Sequence, residues 1–554
     1  MSSGLKIGLV CVEDGLMSIG VRKMAAVVRQ QQPETVVHYV PFTNNRSLSV
    51  ILAGTYGESA GAPDECLVEM AEHLAQFDLL GFSSMTGYAT LTAEIIQAVR
   101  EINPDVYVVW GGIHPIIVPE DAITHADAIC TGEGELAFEE FFEAYKNGRD
   151  FTETRNFWFR TGDKIIRNGF RPLMTQEEMA ALPTLLYGEN EVIFEPGKGF
   201  VELDHARYID YNGLGYNTVW SIGCPFKCTY CGNTKFIDND AKYRSIRHPG
   251  VPYIMDELEQ AVKMHPHISS ISFHDDSFLA LPKRVLREFA EQYKERVGLP
   301  FCILGVIPNY VNEEKLQILL DAGLNRARMG IQNGSERILK FYERPTPPEK
   351  INKAAAVFRK YRRYMIPPAY DIILDNPIEN REDVLANLEF LHKLPRPFTL
   401  NIYSLRTIPN TRLVEQFEEL KISLDEISAN YTHNAPTLAN CLVYLIATLR
   451  VPAWLFRWLS KRAEPLMAPQ PHYPKLVLFC RLLFFVRRAI SHLRFMDFSV
   501  LTGKAGYLLW KSGFIGFWTR WFVPRYRLPS QEASGDAPAA GSARDMPDEQ
   551  VGLG

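Results

Sequence analysis

The chain has 554 residues, 46% of them apolar and 22% charged, which is the balance of a folded protein with room for about two to four domains. A formal net charge of -6 gives no global basic sheath and is too mild to imply a nucleic-acid partner by itself. Nine cysteines, an odd number with six scattered singly, exclude a secreted disulfide framework and leave reduced thiols as the expectation.

The opening "MSSGLKIGLVCVEDG" lacks the basic start, long apolar run and small-residue cleavage site of a signal peptide, so a cytoplasmic chain is expected. "LKIGLVCV", "TVVHYVPF", "DLLGFSSMT", "VYVVWGGIHP" and "ADAICTGEGE" are five strand candidates, separated after the first by helical runs such as "VRKMAAVVRQQQ" and "TLTAEIIQAVREI". This pattern predicts a doubly wound parallel sheet of flavodoxin-like, Rossmann-like kind over residues 1–150, with its ligand beyond the carboxyl ends of the strands. The fourth and fifth strands end in "GGIHP" (111–115) and "TGEGE" (131–135), where glycines let backbone approach a large flat ligand. Residues 151–217 read as a connector with a hairpin around "RTGDK".

Next comes "GCPFKCTYCGN", which places Cys224, Cys228 and Cys231 at C-x3-C-x2-C spacing. A structural zinc site wants four closed ligands, and no fourth cysteine or Cys/His pair lies nearby. Three thiolates leave one position open, as in a four-iron cluster with one iron free for another ligand, while zinc remains the blander alternative. After it, strand-like and helix-like segments alternate from "HISSISFHDD" to "FTLNIYSLRTIPNT". With "TVWSIG" as the first, they make six strands by Leu405, the pattern of a parallel α/β unit over residues 218–412.

"CPFKCTYC", with Tyr230 just before its third cysteine, resembles the signature of radical S-adenosylmethionine (SAM) enzymes. The resemblance implies a partial (β/α)6 TIM barrel whose 4Fe-4S cluster is held by Cys224, Cys228 and Cys231. It also implies reductive cleavage of SAM to a 5′-deoxyadenosyl radical, with electrons from a donor such as flavodoxin or ferredoxin. "GIQNGSE" (330–336) resembles a family turn, so Gln332 and Ser335 become candidates for SAM contact, as do Tyr230 and the strand-end aspartates Asp275 and Asp276. Asn333-Gly334 is equally a common turn and paired aspartates are equally a helix cap.

The two glycine loops of the first domain resemble those of the cobalamin-binding domain that precedes the barrel in one large class of radical SAM enzymes. The resemblance nominates Thr86, Gly111, Gly112, His114, Gly132, Glu133 and Gly134 as cobalamin contacts. One departure stands out: in "EDGLMSIG", Gly15 and Met17 occupy the places of the Asp and His of the usual D-x-H-x-x-G, so the lower axial histidine is missing. His114 and Met17 are the substitutes at hand. The implied reaction uses two SAM molecules, one to supply a methyl group through cobalamin and one to generate the radical, for C-methylation of an unactivated carbon. Cyclisation or rearrangement without methyl transfer is the alternative within enzymes, and a cobalamin or iron–sulfur sensor the alternative outside them.

Residues 413–528 are expected to be helical. From Arg450 to Arg527 the only acids are Glu464 and Asp497, and five of the eight tryptophans fall here. Runs such as "KLVLFCRLLFFVRRAI" are too interrupted by arginine for the roughly 20 apolar residues of a spanning helix, but suit a membrane interface. The alternative is a helical cap on the barrel mouth. Peripheral membrane contact, a large lipid-like or tetrapyrrole substrate, and no nucleic acid are the expectations drawn here. Residues 529–554, polar and rich in small residues, are expected to be a disordered tail.

Overall fold

The structure is a computed structural model that describes residues 4–13, 16, 18–41, 62–185, 187–424, 434–461, 467, 473–495, 497–499 and 501–521. The expected tail, and Gly15 and Met17, lie outside the described residues.

The first sheet is built on β1 (Ile7–Val12), β2 (Val36–Tyr39), β3 (Leu79–Ser84), β4 (Tyr107–Gly111) and β5 (Ala128–Cys130). They pair in parallel in the order β2-β1-β3-β4-β5, the flavodoxin-like winding. β1, "IGLVCV", is buried along its whole length because helices cover both faces, and this explains its continuous apolar run. The helix Ile19–Arg29 turns Val21, Ala25 and Val28 inward at helical spacing.

The segment expected as a connector does more than connect. Its two hairpins, β6 (Phe157–Thr161) with β7 (Lys164–Arg167) and β8 (Glu191–Glu195) with β9 (Gly199–Glu202), extend the sheet to nine strands, one hairpin at each edge. β6 joins β5 antiparallel and β8 joins β2 in parallel, so both open edges of the parallel sheet are covered.

The second sheet contains β10 (Gly215–Thr218), β11 (Ser270–Phe273), β12 (Phe301–Val306), β13 (Leu324–Gln332), β14 (Ala369–Leu374) and β15 (Thr399–Ser404), all parallel and in chain order. Six strands in sequence with helices between them are the partial barrel. The first strand ends sooner than "TVWSIG" suggests: Trp220 and Ser221 already belong to the loop that carries the cysteines. The helix Leu438–Thr448 packs on Tyr473–Arg494, and the short helix Gly503–Lys511 closes on His205–Asn212 beneath the barrel. Among the described residues, no helix is long and apolar enough to cross a membrane.

Candidate active site between the first domain and the barrel mouth

The cysteine loop starts at the carboxyl end of β10, the end at which such barrels place their chemistry. Gly223 opens it at φ +110°; a Cβ there would meet the Tyr243 carbonyl at 2.9 Å and press on that of Ser245, so only glycine fits. Ile222 pairs with Arg247 through both backbone bonds, at 3.0 and 2.9 Å, and the Cys224 amide donates to the Tyr243 carbonyl at 3.2 Å. Further along, the Cys231 amide reaches the Cys228 carbonyl at 3.0 Å, and the Thr229 amide that of Tyr342. The loop is thereby fixed at both ends.

All three cysteines are free thiols. Burial, followed for Cys231 by the neighbouring Cys228, pushes the Cys231 thiol up to about 12, and burial likewise raises Cys224. The Cys231 thiol is therefore protonated at neutral pH and becomes a ligand when a metal displaces its proton. Beside them lies a cation that sequence reading did not single out. Arg344, buried, brings Nη1 to 3.6 Å from the Cys228 sulfur and 3.2 Å from the Tyr230 hydroxyl, and donates through Nη2 to the Gly330 carbonyl at 2.6 Å. It sits 113 residues past Cys231 with no local motif to mark it.

The two aspartates face the loop. Asp275, 1% exposed, accepts from the Trp220 and Ser221 amides at 3.0 and 2.8 Å and from the Ser221 hydroxyl at 2.5 Å. Asp276 accepts from Asn233 at 2.8 Å, the Gly223 amide at 3.3 Å and the Tyr243 hydroxyl at 3.2 Å. Burial raises both carboxyls, Asp275 to about 7. Ser335 is the N-cap of the helix Glu336–Phe341, its hydroxyl donating to Asp383 at 2.7 Å. These three side chains hold the scaffold, and none of them lines the cavities described next.

A cavity of 480 Å³ opens above the barrel strands. Tyr230, Gln332 and Arg328 line it from the barrel; Met85, Thr86, Ile113 and Ile117 line it from the first domain. Gln332 takes φ +65°, and the preceding Gly330 leaves room for its amide, since a Cβ at 330 would meet Nε2 at 2.6 Å. Arg328 grips Asp371 at 2.8 Å and donates to the Tyr403 hydroxyl at 2.9 Å, a polar set that the strand patterns did not reveal. The Thr86 hydroxyl is buried and has no partner.

A second cavity, of 280 Å³, lies in the first domain beyond β1, β3, β4 and β5. Gly111, Gly112, Gly132, Glu133 and Gly134 all line it, and Ile222, Phe236 and Tyr243 of the barrel close it. Ile113 and Phe236 are walls of both cavities, so the two spaces adjoin. Gly112 has φ +89° and a Cβ there would strike the Ser83 hydroxyl at 2.6 Å. His114 lines neither cavity: its Nε2 is 2.9 Å from Asp121 and its ring lies against Trp110, 5.0 Å between centres.

Residues 218–391 match the radical SAM superfamily, and residues 5–142 match the B12 binding domain. The chain belongs to the radical SAM enzymes that carry a cobalamin-binding domain. An uncharacterized methyltransferase of Pyrococcus horikoshii is 24% identical over 361 residues, covering 64% of this chain and 72% of its own. The anaerobic magnesium-protoporphyrin IX monomethyl ester cyclase of Rubrivivax gelatinosus is 24% identical over 347 residues, covering 62% of this chain and 58% of its own. In fold, the enzyme is similar to the cobalamin-dependent SAM radical enzyme OxsB solved with aqua-cobalamin and SAM, with TM-score 0.60 and 14% identity over 94% of this chain and 84% of that one. It is similar also to the radical SAM methyltransferase TsrM of Kitasatospora setae with cobalamin and a [4Fe-4S] cluster bound, with TM-score 0.56 and 16% identity over 75% of this chain and 78% of that one.

The enzyme's residues fit these cofactors. Three free thiols on one fixed loop beside a buried arginine suit an iron–sulfur cluster, whose core with its thiolates is anionic. The glycine-lined cavity suits part of a corrinoid, because side chains at Gly112 or Gly132 would collide with its own walls; a Cβ at 132 would meet Asn156 at 2.8 Å. Thr86, whose buried hydroxyl has no partner, is part of the wall of the neighbouring space.

Proposed function

We propose that the enzyme transfers a methyl group to an unactivated carbon of a large, mainly apolar substrate held between the first domain and the barrel mouth. The observation that carries this reading is the shared wall of the two cavities: Ile113 and Phe236 bound both the glycine-lined space and the space over the barrel. When bound, the cluster and cobalamin supply reductive cleavage of SAM and carriage of a methyl group. The chain's own work is placement and exclusion. Cys224, Cys228 and Cys231 hold the cluster, and Tyr230 and Gln332 are the SAM contacts proposed here, because both line the cavity that begins at the cysteine loop. Gly111, Gly112, Gly132, Glu133 and Gly134 are the proposed cobalamin contacts, with Thr86 in the wall of the substrate space.

Met85, Ile117, Ile373, Leu405 and Ile408 give that space apolar walls and keep water from the reacting carbon. Arg406 lines the same space and supplies a cation for a carboxylate or phosphate on the substrate, as an isoprenoid or a tetrapyrrole would bring. A tetrapyrrole also fits the named substrate of the Rubrivivax relative.

The test is anaerobic reconstitution with iron, sulfide and hydroxocobalamin, followed by SAM, reductant and candidate isoprenoids or tetrapyrroles. The expected result is both 5′-deoxyadenosine and S-adenosylhomocysteine, with a product heavier by one CH2. Deoxyadenosine with a product that gains no carbon would overturn methyl transfer in favour of cyclisation. Replacing Cys224, Cys228 or Cys231 by alanine should abolish deoxyadenosine formation and leave the fold intact.

A second reading concerns where the enzyme works. On the helix Tyr473–Arg494, Phe479, Leu482, Val486, Ile490 and Leu493 are all exposed at spacings of three and four residues, forming one apolar stripe. Exposed Arg487 and Arg494 flank it, and Trp454 and Trp458 are exposed on the preceding helix. An apolar stripe edged by arginine and accompanied by tryptophan suits the headgroup level of an anionic membrane, the place from which a lipid-like substrate would be taken.

A further inference from the structure

At the closed end of the barrel, opposite the cysteine loop, three histidines from two segments converge. His205 begins the helix His205–Asn212 that leads into β10, while His265 and His267 stand just ahead of β11. A ring nitrogen from each lies within 4.8 Å of the others. The ring centres are 5.3 Å apart for His205 and His267, 5.5 Å for His265 and His267, and 5.7 Å for His205 and His265. A tetrahedral zinc with Zn–N distances of about 2.1 Å separates its ligand nitrogens by about 3.4 Å and their ring centres by about 5 Å. Small rotations of the rings span the difference.

Hydrogen bonding marks the same spot. His267 is fully buried, and neither of its ring nitrogens has a partner. An unpaired polar group in such a place is costly unless something binds it. His265 donates from Nε2 to the Tyr187 carbonyl at 3.3 Å, which leaves Nδ1 as a buried lone pair, also without a partner. A backbone carbonyl holding the far nitrogen of a histidine is the usual arrangement behind a metal ligand. Burial and the neighbouring rings keep both side chains neutral, the form that ligates. Tyr208 stacks on His265 at 5.0 Å, and Trp510 of the helix Gly503–Lys511 lies 5.4 Å from His205 and 5.6 Å from His267.

We propose that His205, His265 and His267 bind a zinc ion that clips the helix entering the barrel to the turn ahead of β11, beside the helix Gly503–Lys511. Three imidazoles and no thiolate favour zinc or a neighbouring late first-row ion over magnesium or calcium. The site is remote from both cofactor cavities, neither of which any of the three histidines lines, and unlike a closed four-ligand site it leaves one position open on the side of His205.

The test uses the full chain without a histidine tag, grown with zinc and purified without chelator, with iron, cobalt and zinc measured together by mass spectrometry. To separate this zinc from zinc picked up by the cluster loop, it is counted in a chain with Cys224, Cys228 and Cys231 all replaced by alanine. About one zinc per chain should remain there, and should fall at least tenfold in His267→Ala and in His205→Ala. His205→Ala alters the least enclosed of the three and guards against misfolding. Adding zinc to chelator-treated enzyme should raise Tm by several degrees in the parent and not in His205→Ala. Zinc content unchanged by both substitutions, or a parent Tm that zinc does not move, would overturn the proposal.

Discussion

Glu133 of the first domain and Arg247 of the barrel form an ion pair at 2.5 Å, with the two side chains only 15% and 14% exposed. The second carboxylate oxygen accepts from the Met174 amide at 3.0 Å, and the backbone of Arg247 is paired with Ile222, two residues before Cys224. One side-chain contact thus ties a glycine loop of the proposed cobalamin site to the base of the cysteine loop.

Breaking that pair leaves a largely buried charge alone. Arg247→Ala or Glu133→Ala should each cost on the order of 3 kcal/mol and lower Tm by several degrees. Because the two loops lose their common anchor, the cobalamin retained through gel filtration should fall as well. The double variant should be less destabilised than the sum of the singles, which a double-mutant cycle on Tm and bound cobalamin will measure.

Arg344 places a positive charge near the Cys228 sulfur. Reduction adds an electron to the cluster, so a nearby cation favours the reduced state. At an effective dielectric near 20, a charge about 6 Å away contributes ~3 kcal/mol, or on the order of 100 mV for one electron. Arg344→Met should therefore make the cluster potential more negative by that order, and Arg344→Lys by less. Spectroelectrochemical titration of reconstituted protein gives the potential, and deoxyadenosine formation should slow in parallel.

Asp275 is an acid whose carboxyl is raised from 3.8 to about 7, with burial the largest cause. The folded state then holds a proton that the unfolded state releases between roughly pH 4 and pH 7, so its contribution to stability is full below that window and is lost as pH rises through it. The span of about three pH units corresponds to at most ~4 kcal/mol. Asp275→Asn cannot titrate, so the Tm of the variant relative to the parent should climb between pH 5 and pH 8. A constant difference across that range would contradict the assignment.

Gly134 lines the glycine-rich cavity and has an ordinary backbone conformation; a Cβ there meets Met24 Sδ at 3.4 Å. Gly134→Leu should fill the cavity at little cost to the backbone. Bound cobalamin should drop more than tenfold while iron content stays at the parent level, as absorption spectra and metal analysis of the same sample will show.

The exposed stripe of Leu482, Val486 and Ile490 carries little folding energy, since each is at least 43% exposed. Replacing all three with glutamine should leave Tm within about a degree of the parent. Co-sedimentation with phosphatidylglycerol vesicles should fall several-fold, and retained binding would count against the membrane reading.

The proposed cofactor loops stand out in the sequence because each is local. Cys224, Cys228 and Cys231 need only one short loop after a strand, and the glycines at 111–112 and 132–134 need only their own strand ends. The alternation of strands and helices likewise marks parallel sheets by short-range rules, and in the barrel each crossover returns its strand beside the last, whereas in the first sheet β3 crosses over to pair with β1.

Long-range placement decided the rest. Strand-end position nominated Asp275 and Asp276, but their partners, backbone amides of Trp220, Ser221 and Gly223 and side chains of Ser221, Asn233 and Tyr243, lie some 30 to 55 residues back in the chain, where only folding brings them alongside. Ser335 reads the same in sequence whether it faces SAM or caps a helix; the fold makes it the N-cap of the helix Glu336–Phe341 and sets its hydroxyl on Asp383. Edge hairpins emerged from a stretch read as a connector because pairing with β5 and β2 depends on sheet edges formed elsewhere. Arg344 beside Cys228, Arg328 on Asp371, Glu133 on Arg247 and the three histidines beneath the barrel are pairs and clusters that residue spacing cannot encode. Their energetics come from burial and charge, and both are set by what the rest of the chain brings alongside.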